Sequence, residues 1–406
     1  MSKKIRRIAG AALAVTAAFA MVAPSAFAAP DTAPQIDIDG SPLVAVDGPV
    51  VGRIAADDRI ATAIKAACSL NKWRLNGEGR DDLILVASDN DKYADALASA
   101  PLADYIDAPI LVTPAGDKLD QRIVNLLVVG CDGKRNTADD YPFDRVTITS
   151  GTGVLTDKIV KQLESKPVTW NTAGTLPADG SNVGLGANTV SRWAGSNRYE
   201  TSSAIAWNLS QKMHWDGKDN VDVFFADGLN FPDALAAGAA AAEHDGVVLL
   251  TMGGTGLDQS TFDFASNAPR AGFHTLNHRQ IWAVGGNANA AVDMGRLGVP
   301  VEPSNRIKGI DRYQTATLLA KAVWETAPVD FVVTSGENPA DALFAGGFAA
   351  NIDGPLLLTP AASLSPFTAT YLKDTASSGS RVIVFGGTGS VTPTVQGQIV
   401  TAVTKI

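Results

Sequence analysis

Three segments of this chain follow one plan. "NDKYADALASAPLADYIDAPILVT" begins at Asn90, "GLNFPDALAAGAAAAEHDGVVLLT" at Gly228 and "GENPADALFAGGFAANIDGPLLLT" at Gly336. Each carries Asp-Ala-Leu, a run of tiny residues and a closing Thr placed 18 positions after the Asp, at Asp95 and Thr113, Asp233 and Thr251, and Asp341 and Thr359. Self-similarity of this kind means that one supersecondary unit is built three times, and each copy buries against its siblings what it cannot bury alone. A single hydrophobic core is excluded on the same grounds, and a length of 406 residues also exceeds what one core serves.

Each unit opens on a second signature: "DDRIATAI" at Asp57, "SNRYETSSAIA" at Ser196 and "IDRYQTATLLA" at Ile310. An Arg (Arg59, Arg198, Arg312) is followed three residues later by a Thr (Thr62, Thr201, Thr315), then by apolar residues at helical spacing, which predicts an amphipathic helix from this point. A β-rich run follows: "DLILVAS" from Asp82, "VDVFFAD" from Val221, "VDFVVTS" from Val329. Without strict alternation, such runs suit strands covered on both faces, as in a parallel sheet. Asn230 or Asn338 then stands where a helix N-cap belongs, with Pro232 and Asp233 in the first turn. "ALAAGAAAA" and "ALFAGGFAA" put Ala or Gly on nearly every face of that helix, so its surface meets protein at short range. "PILVT", "VVLLT" or "PLLLT" gives a second strand, and "VTITSGTG", "IWAVGGNA" or "VIVFGGTG" a third that closes on glycines. Three strands per unit, joined by helices, predict an α/β layer fold with right-handed crossovers.

The ends and junctions read differently. "MSKKIRR", an apolar run and Ala26-Phe27-Ala28 make residues 1–28 a secretory signal peptide, followed by a Pro- and Asp-rich lead-in over 29–50. The repeats are expected at 51–165, 191–303 and 304–406, with a Gly/Asn/Thr-rich connector at 166–190. No later segment is apolar for long enough to span a bilayer. The chain carries 33 basic and 42 acidic residues, and loss of the cationic leader makes it more acidic still, which excludes general nucleic-acid or anionic-membrane binding. Cys68 and Cys131 are the two cysteines; an oxidising compartment favours a bridge between them over two separate buried thiols.

The signatures "NRYETSSAIA" and "DRYQTATLLA", "NFPDALAAG" and "NPADALFAGG", "LLLT" and "GGTG", in three tandem copies, resemble the bacterial cell-wall-binding repeat type 2 family over residues 52 to 403. The first copy departs from the pattern: Ile60 stands in place of the Tyr, Tyr93-Ala94 in place of Phe-Pro, and "VVGCDGKRNTADDYPFDRV" is an insertion. The resemblance implies an exported, non-enzymatic surface anchor that holds an anionic secondary polymer of a Gram-positive wall. It also implies three Rossmann-like or Toprim-like repeats packed as an intramolecular pseudo-trimer, a monomer with no cofactor.

An anionic glycan calls for guanidinium forks and helix N-termini. Arg59, Arg198 and Arg312 recur at a helix start and are the leading candidates, with Asp233, Asp341, Tyr199 and Tyr313 beside them. The alternative is structural: each Arg pairs with the Asp of its own repeat (Asp95, Asp233, Asp341), and the aromatics, Phe231 included, belong to the core. Thr201 and Thr315 read as local hydrogen-bond makers. His274 and His278 lack the Glu of a metalloprotease motif and sit in a loop-like stretch, and the acidic "CDGKRNTADD" at Cys131 lacks a calcium-loop pattern, so no metal is expected. Two rival functions remain, a cell-wall hydrolase of amidase type and a receptor for a small soluble ligand.

Overall fold

The computed structural model describes residues 49–72, 82–89, 93–131, 143, 145–165, 189–268, 270, 272–274, 277–294 and 300–404. The signal peptide, and all but the last two residues of the lead-in and of the connector, therefore fall outside the described residues. The long apolar runs form parallel strands: β2 (Asp82–Ala87), β3 (Ile110–Thr113) and β4 (Arg145–Ile148) in the first repeat, β6 (Asn220–Asp227), β7 (Gly246–Thr251) and β8 (Asn277–Val284) in the second, and β10 (Asp330–Ser335), β11 (Leu356–Thr359) and β12 (Arg381–Phe385) in the third. The first strand of each set lies centrally and is buried along nearly its whole length, as covered faces require.

Each sheet has a fourth strand that the periodicity did not announce. β1 (Val50–Ile54), β5 (Val190–Arg192) and β9 (Arg306–Ile307) precede the opening signatures. They are too short, at two to five residues, to carry a pattern. None of the three joins the sheet of its own repeat. β5 pairs with β4 and β9 with β8, each completing the sheet before it, while β1 pairs with β12 of the third repeat, Val51 opposite Val382 and Ile54 opposite Phe385. The sheet orders are β3-β2-β4-β5, β7-β6-β8-β9 and β11-β10-β12-β1, all parallel. The exchange therefore runs in a closed cycle, and each donated strand covers an edge that would otherwise stand open.

The opening helices, Arg59–Lys72, Arg198–Trp215 and Arg312–Val323, start where the sequence places them. Asp58, Asn197 and Asp311 cap them: their Oδ1 atoms accept from the backbone N–H of Ala61, of Tyr199 and Glu200, and of Gln314, at 2.8–2.9 Å. Caps of this kind contribute about 1 kcal/mol each. The threonine of the signature closes the preceding loop in every copy. Thr62, Thr201 and Thr315 accept from the backbone N–H of Ala56, Gly195 and Gly309 at 3.0, 3.1 and 3.1 Å. Leading strand, loop and helix start are thus one fixed piece, and it is this piece that aims the arginine.

The small-residue helices, Ala100–Tyr105, Phe231–Glu243 and Pro339–Asn351, meet at the centre of the described unit, where Ala100, Ala242 and Ala350 form a buried cluster. A methyl group added at Gly238 would lie 2.8 Å from the Cβ of Ala100, and one at Gly347 would lie 2.5 Å from Ile110, so both glycines mark the contact of one repeat with another. Asn351 ties the same interface by donating to the carbonyl of Ala108 at 3.0 Å. The chain is three α/β repeats packed on one another, as expected, with the strand exchange as the added feature. Asn230 does occupy the N-cap position of its helix, but its side chain makes no cap bond; Asp227 supplies the local bond instead, accepting from the backbone of Leu229 at 2.8 Å. Cys68 and Cys131 are bridged, joining the first opening helix to the end of helix Gln121–Val129.

Candidate functional site

The expected site residues gather where the strands end. Arg198 Nη1 donates to the carbonyl of Gly228 at 2.5 Å, and Arg59 and Arg312 make the same bond to the carbonyls of Ser88 and Gly336. These three acceptors follow directly on β2, β6 and β10. The first repeat has two extra residues between Ser88 and its Asp-Ala-Leu, yet the arginine reaches the equivalent carbonyl. A backbone carbonyl, then, is the fixed partner of each signature arginine.

In the second repeat, Arg198 and Asp233 do not form the in-repeat ion pair. Arg312 of the third repeat is the cation that acts on Asp233 of the second. The junction between repeats accounts for this: helix Arg312–Val323 packs on β11 of its own repeat and also lies against helix Phe231–Glu243 of the second. Asp233 sits in the first turn of that helix, largely buried. Its Oδ1 is buried without a hydrogen-bond partner, and its Oδ2 occupies the space a side chain on Gly285 would need, 2.0 Å from the position of a Cβ there. Burial, reinforced by the charge of Asp227 and opposed by Arg312, pushes the Asp233 carboxyl up to about 7. The side chain of Asp341 lies outside the described residues.

Tyr199 and Tyr313 are half-buried, and each lies over the glycine that ends a strand: a Cβ at Gly228 would come within 2.9 Å of the Tyr199 ring and one at Gly336 within 2.8 Å of the Tyr313 ring. Burial pushes both phenols up. Phe231 is 8 % exposed and belongs to the core. Of the aromatic candidates, the two tyrosines stand beside the arginines and Phe231 does not offer a face.

A second set of arginines went unremarked in the sequence. Arg53, Arg192 and Arg306 lie on the leading strands, six residues before Arg59, Arg198 and Arg312. They reach into the repeat whose sheet their strand completes: Arg53 donates to the carbonyl of Gly386 at 2.5 Å and to Gln396 at 2.9 Å, Arg192 to the carbonyl of Ser150, and Arg306 to Asp293 at 2.7 Å. An Arg-x5-Arg spacing common to all three copies was the available signal. Each junction between repeats thus brings two guanidinium groups to the ends of parallel strands, where α/β sheets characteristically take ligands.

Elsewhere the surface is less selective. A cavity of about 480 Å³ on the second repeat is lined by Glu200 and Asp263 as well as Arg270, so it favours no one sign of charge. His274 is exposed and stacks on His214 at 4.3 Å, while the side chain of His278 is outside the described residues. Among the described residues no group of three His, Cys, Asp or Glu is placed to hold a metal ion. Most of the acidic stretch after Cys131 also lies outside them.

The family described as Cell wall binding domain 2 (CWB2) matches residues 53–160, 192–291 and 306–396. N-acetylmuramoyl-L-alanine amidase LytC of Bacillus subtilis (strain 168) is 30% identical over 219 residues, 53% of this chain and 40% of the amidase. Among solved structures, Cwp6 from Clostridium difficile is similar with a TM-score of 0.65 at 21% identity, over 88% of this chain and 48% of that one. Cwp8 from Clostridium difficile gives 0.60 at 22% identity, over 87% of this chain and 51% of that one. The chain spans about half the length of these proteins or less, and the structural likeness is one of fold.

Proposed function

Because the chain belongs to the Cell wall binding domain 2 family, we propose that it attaches non-covalently to an anionic secondary polymer of a Gram-positive cell wall and serves there as a surface anchor. Binding to the wall is the property of the family; the anionic polymer, the residues that grip it and export through a signal peptide over 1–28 are our reading. The observation that supports it is the condition of Arg198 and Arg312. Each is half-buried and held by one hydrogen bond to a backbone carbonyl, and the remaining N–H groups of each have no protein acceptor among the described residues. A guanidinium fixed by one donor and unspent on the others is prepared for a phosphate or carboxylate, which it meets with two parallel bonds. Tyr199 and Tyr313 flank these cations and would pack on the sugar. The junctions are similar, so an extended polymer would meet repeated contacts and gain by effective concentration. We read the chain as a monomer that binds without catalysis. No helix among the described residues is long and apolar enough to cross a membrane.

The test is retention on purified Gram-positive walls before and after acid extraction of their secondary polymers. Arg198→Ala with Arg312→Ala is expected to lower retention at least tenfold, since charge-assisted bonds contribute roughly 1.5–3 kcal/mol each. Melting should fall only slightly, by the loss of two carbonyl bonds worth about 1 kcal/mol apiece. Equal retention of the variant and the parent chain would remove the arginines from the site. Undiminished retention on extracted walls would remove the anionic polymer, and a lytic band on a wall zymogram would replace anchor with hydrolase.

A further inference from the structure

Asp233 is placed at odds with its surroundings. A carboxylate in the first turn of a helix ordinarily spends its oxygens on free backbone N–H groups. Here Oδ1 is buried and accepts nothing, and Oδ2 lies where a side chain on Gly285 would stand, a residue at φ +90°. Two charged groups act on it, Asp227 from the end of β6 and Arg312 from the opening helix of the third repeat. Asp227 is itself engaged, accepting from the backbone of Leu229 at 2.8 Å and from Asn287 Nδ2 at 2.6 Å, so its charge is fixed in place and cannot turn away. Arg312 is one of the cations on which the proposed anion site depends.

We propose that Asp233 is a proton-operated gate on the anion site between the second and third repeats. With its proton on, the carboxyl is neutral and Arg312 is left to the polymer. With its proton off, the carboxylate draws on Arg312 and repels the incoming anion. This inference rests on the anionic-polymer reading and says how that site is regulated. Its sign follows from the direction of the shift. The folded carboxyl titrates at about 7 rather than at the ordinary 3.8, so it is neutral below that point and ionised above it. Binding is therefore strongest on the acid side and weakens as pH rises through about 7, and the bound anion, as a like charge, lifts the midpoint and takes up a proton.

The experiment is calorimetric binding of the full chain to two probes, poly(glycerol phosphate) and polyglucuronate, at about pH 5.5 and about pH 8.5, with Asp233→Asn alongside. The two polymers separate a phosphodiester from a carboxylate source of the anion. On whichever polymer binds, the parent chain should weaken about tenfold between the two pH values, the order expected of one unit charge a few ångströms away in a partly screened site. Asp233→Asn should hold the acid-side affinity at both. The same pH profile in parent and variant would overturn the gate and leave the binding reading standing. Failure of the parent chain to bind either polymer at either pH would overturn both. Should Asp233→Asn not fold, a carbon NMR titration of the parent chain decides instead: a midpoint near 7 that rises on adding the polymer supports the gate, and a midpoint below about 5 overturns it.

Discussion

Gly285 holds a φ of +90° and lends the space of its absent side chain to the Asp233 carboxylate. Two separate costs attach to filling that space, backbone strain and a collision at 2.0 Å. Gly217 offers the comparison, since it sits at φ +81° with nothing within 4 Å of a Cβ, so that alanine there meets the strain alone. Gly285→Ala is expected to destabilise by at least about 2 kcal/mol and Gly217→Ala by about 1 kcal/mol, as read from denaturant midpoints. Equal losses would show that the carboxylate moves aside freely, and the proposed gate would lose its cradle. At this scale the sequence was partly legible. Arg198 and Arg312 stood out by recurrence, while Arg53, Arg192 and Arg306 recur at an equally constant spacing and passed unnoticed because each precedes its signature. The partner of Asp233 was beyond reading, because a charge pair across repeats leaves no mark in local spacing.

Among the elements, β1 has the longest reach. It opens the first repeat and lies in the core of the third, where Val51 packs with Phe331, Val382 and Val384 and is 3 % exposed. The other leading strands pair with strands that precede them closely in the chain, but β1 waits for β12, more than 300 residues on. Val51→Asp would bury an unpaired charge in that core, which costs several kcal/mol and is relieved by expelling the strand. The edge of β12 would then be bare and able to accept a strand from another molecule. We expect a lowered melting temperature together with dimers or larger species in light scattering; a monomer of unchanged stability would mean that β1 contributes little to closure. The long strands and opening helices were foretold by apolar runs and capping signatures. "VSR" and "RI" were not, because two or three residues carry no period and gain their conformation from the strand they join.

At the scale of the whole molecule, the bridge between Cys68 and Cys131 bears on how the cycle is held. Helix Arg59–Lys72 packs on β3 of its own repeat and on helix Pro339–Asn351 of the third, and the bridge adds a covalent tie to the first. A sequence separation of 63 gives a loop whose closure stabilises by about 4 kcal/mol in the chain-entropy account. Reduction should therefore shift the unfolding midpoint downward by that order, measured in denaturant with and without a dithiol; a midpoint unmoved by the reductant would show that the first repeat is held by packing alone. The sequence by itself determined that one α/β unit occurs three times, where its long elements begin, and that its tiny-residue helices must meet protein closely, since these follow from local spacing and side-chain size. Only the tertiary structure decided that each unit completes its neighbour and that Asp233 faces the arginine of the next repeat. Pairing between like units is set by which copy lies adjacent in space, and a pattern shared by three copies does not express that choice.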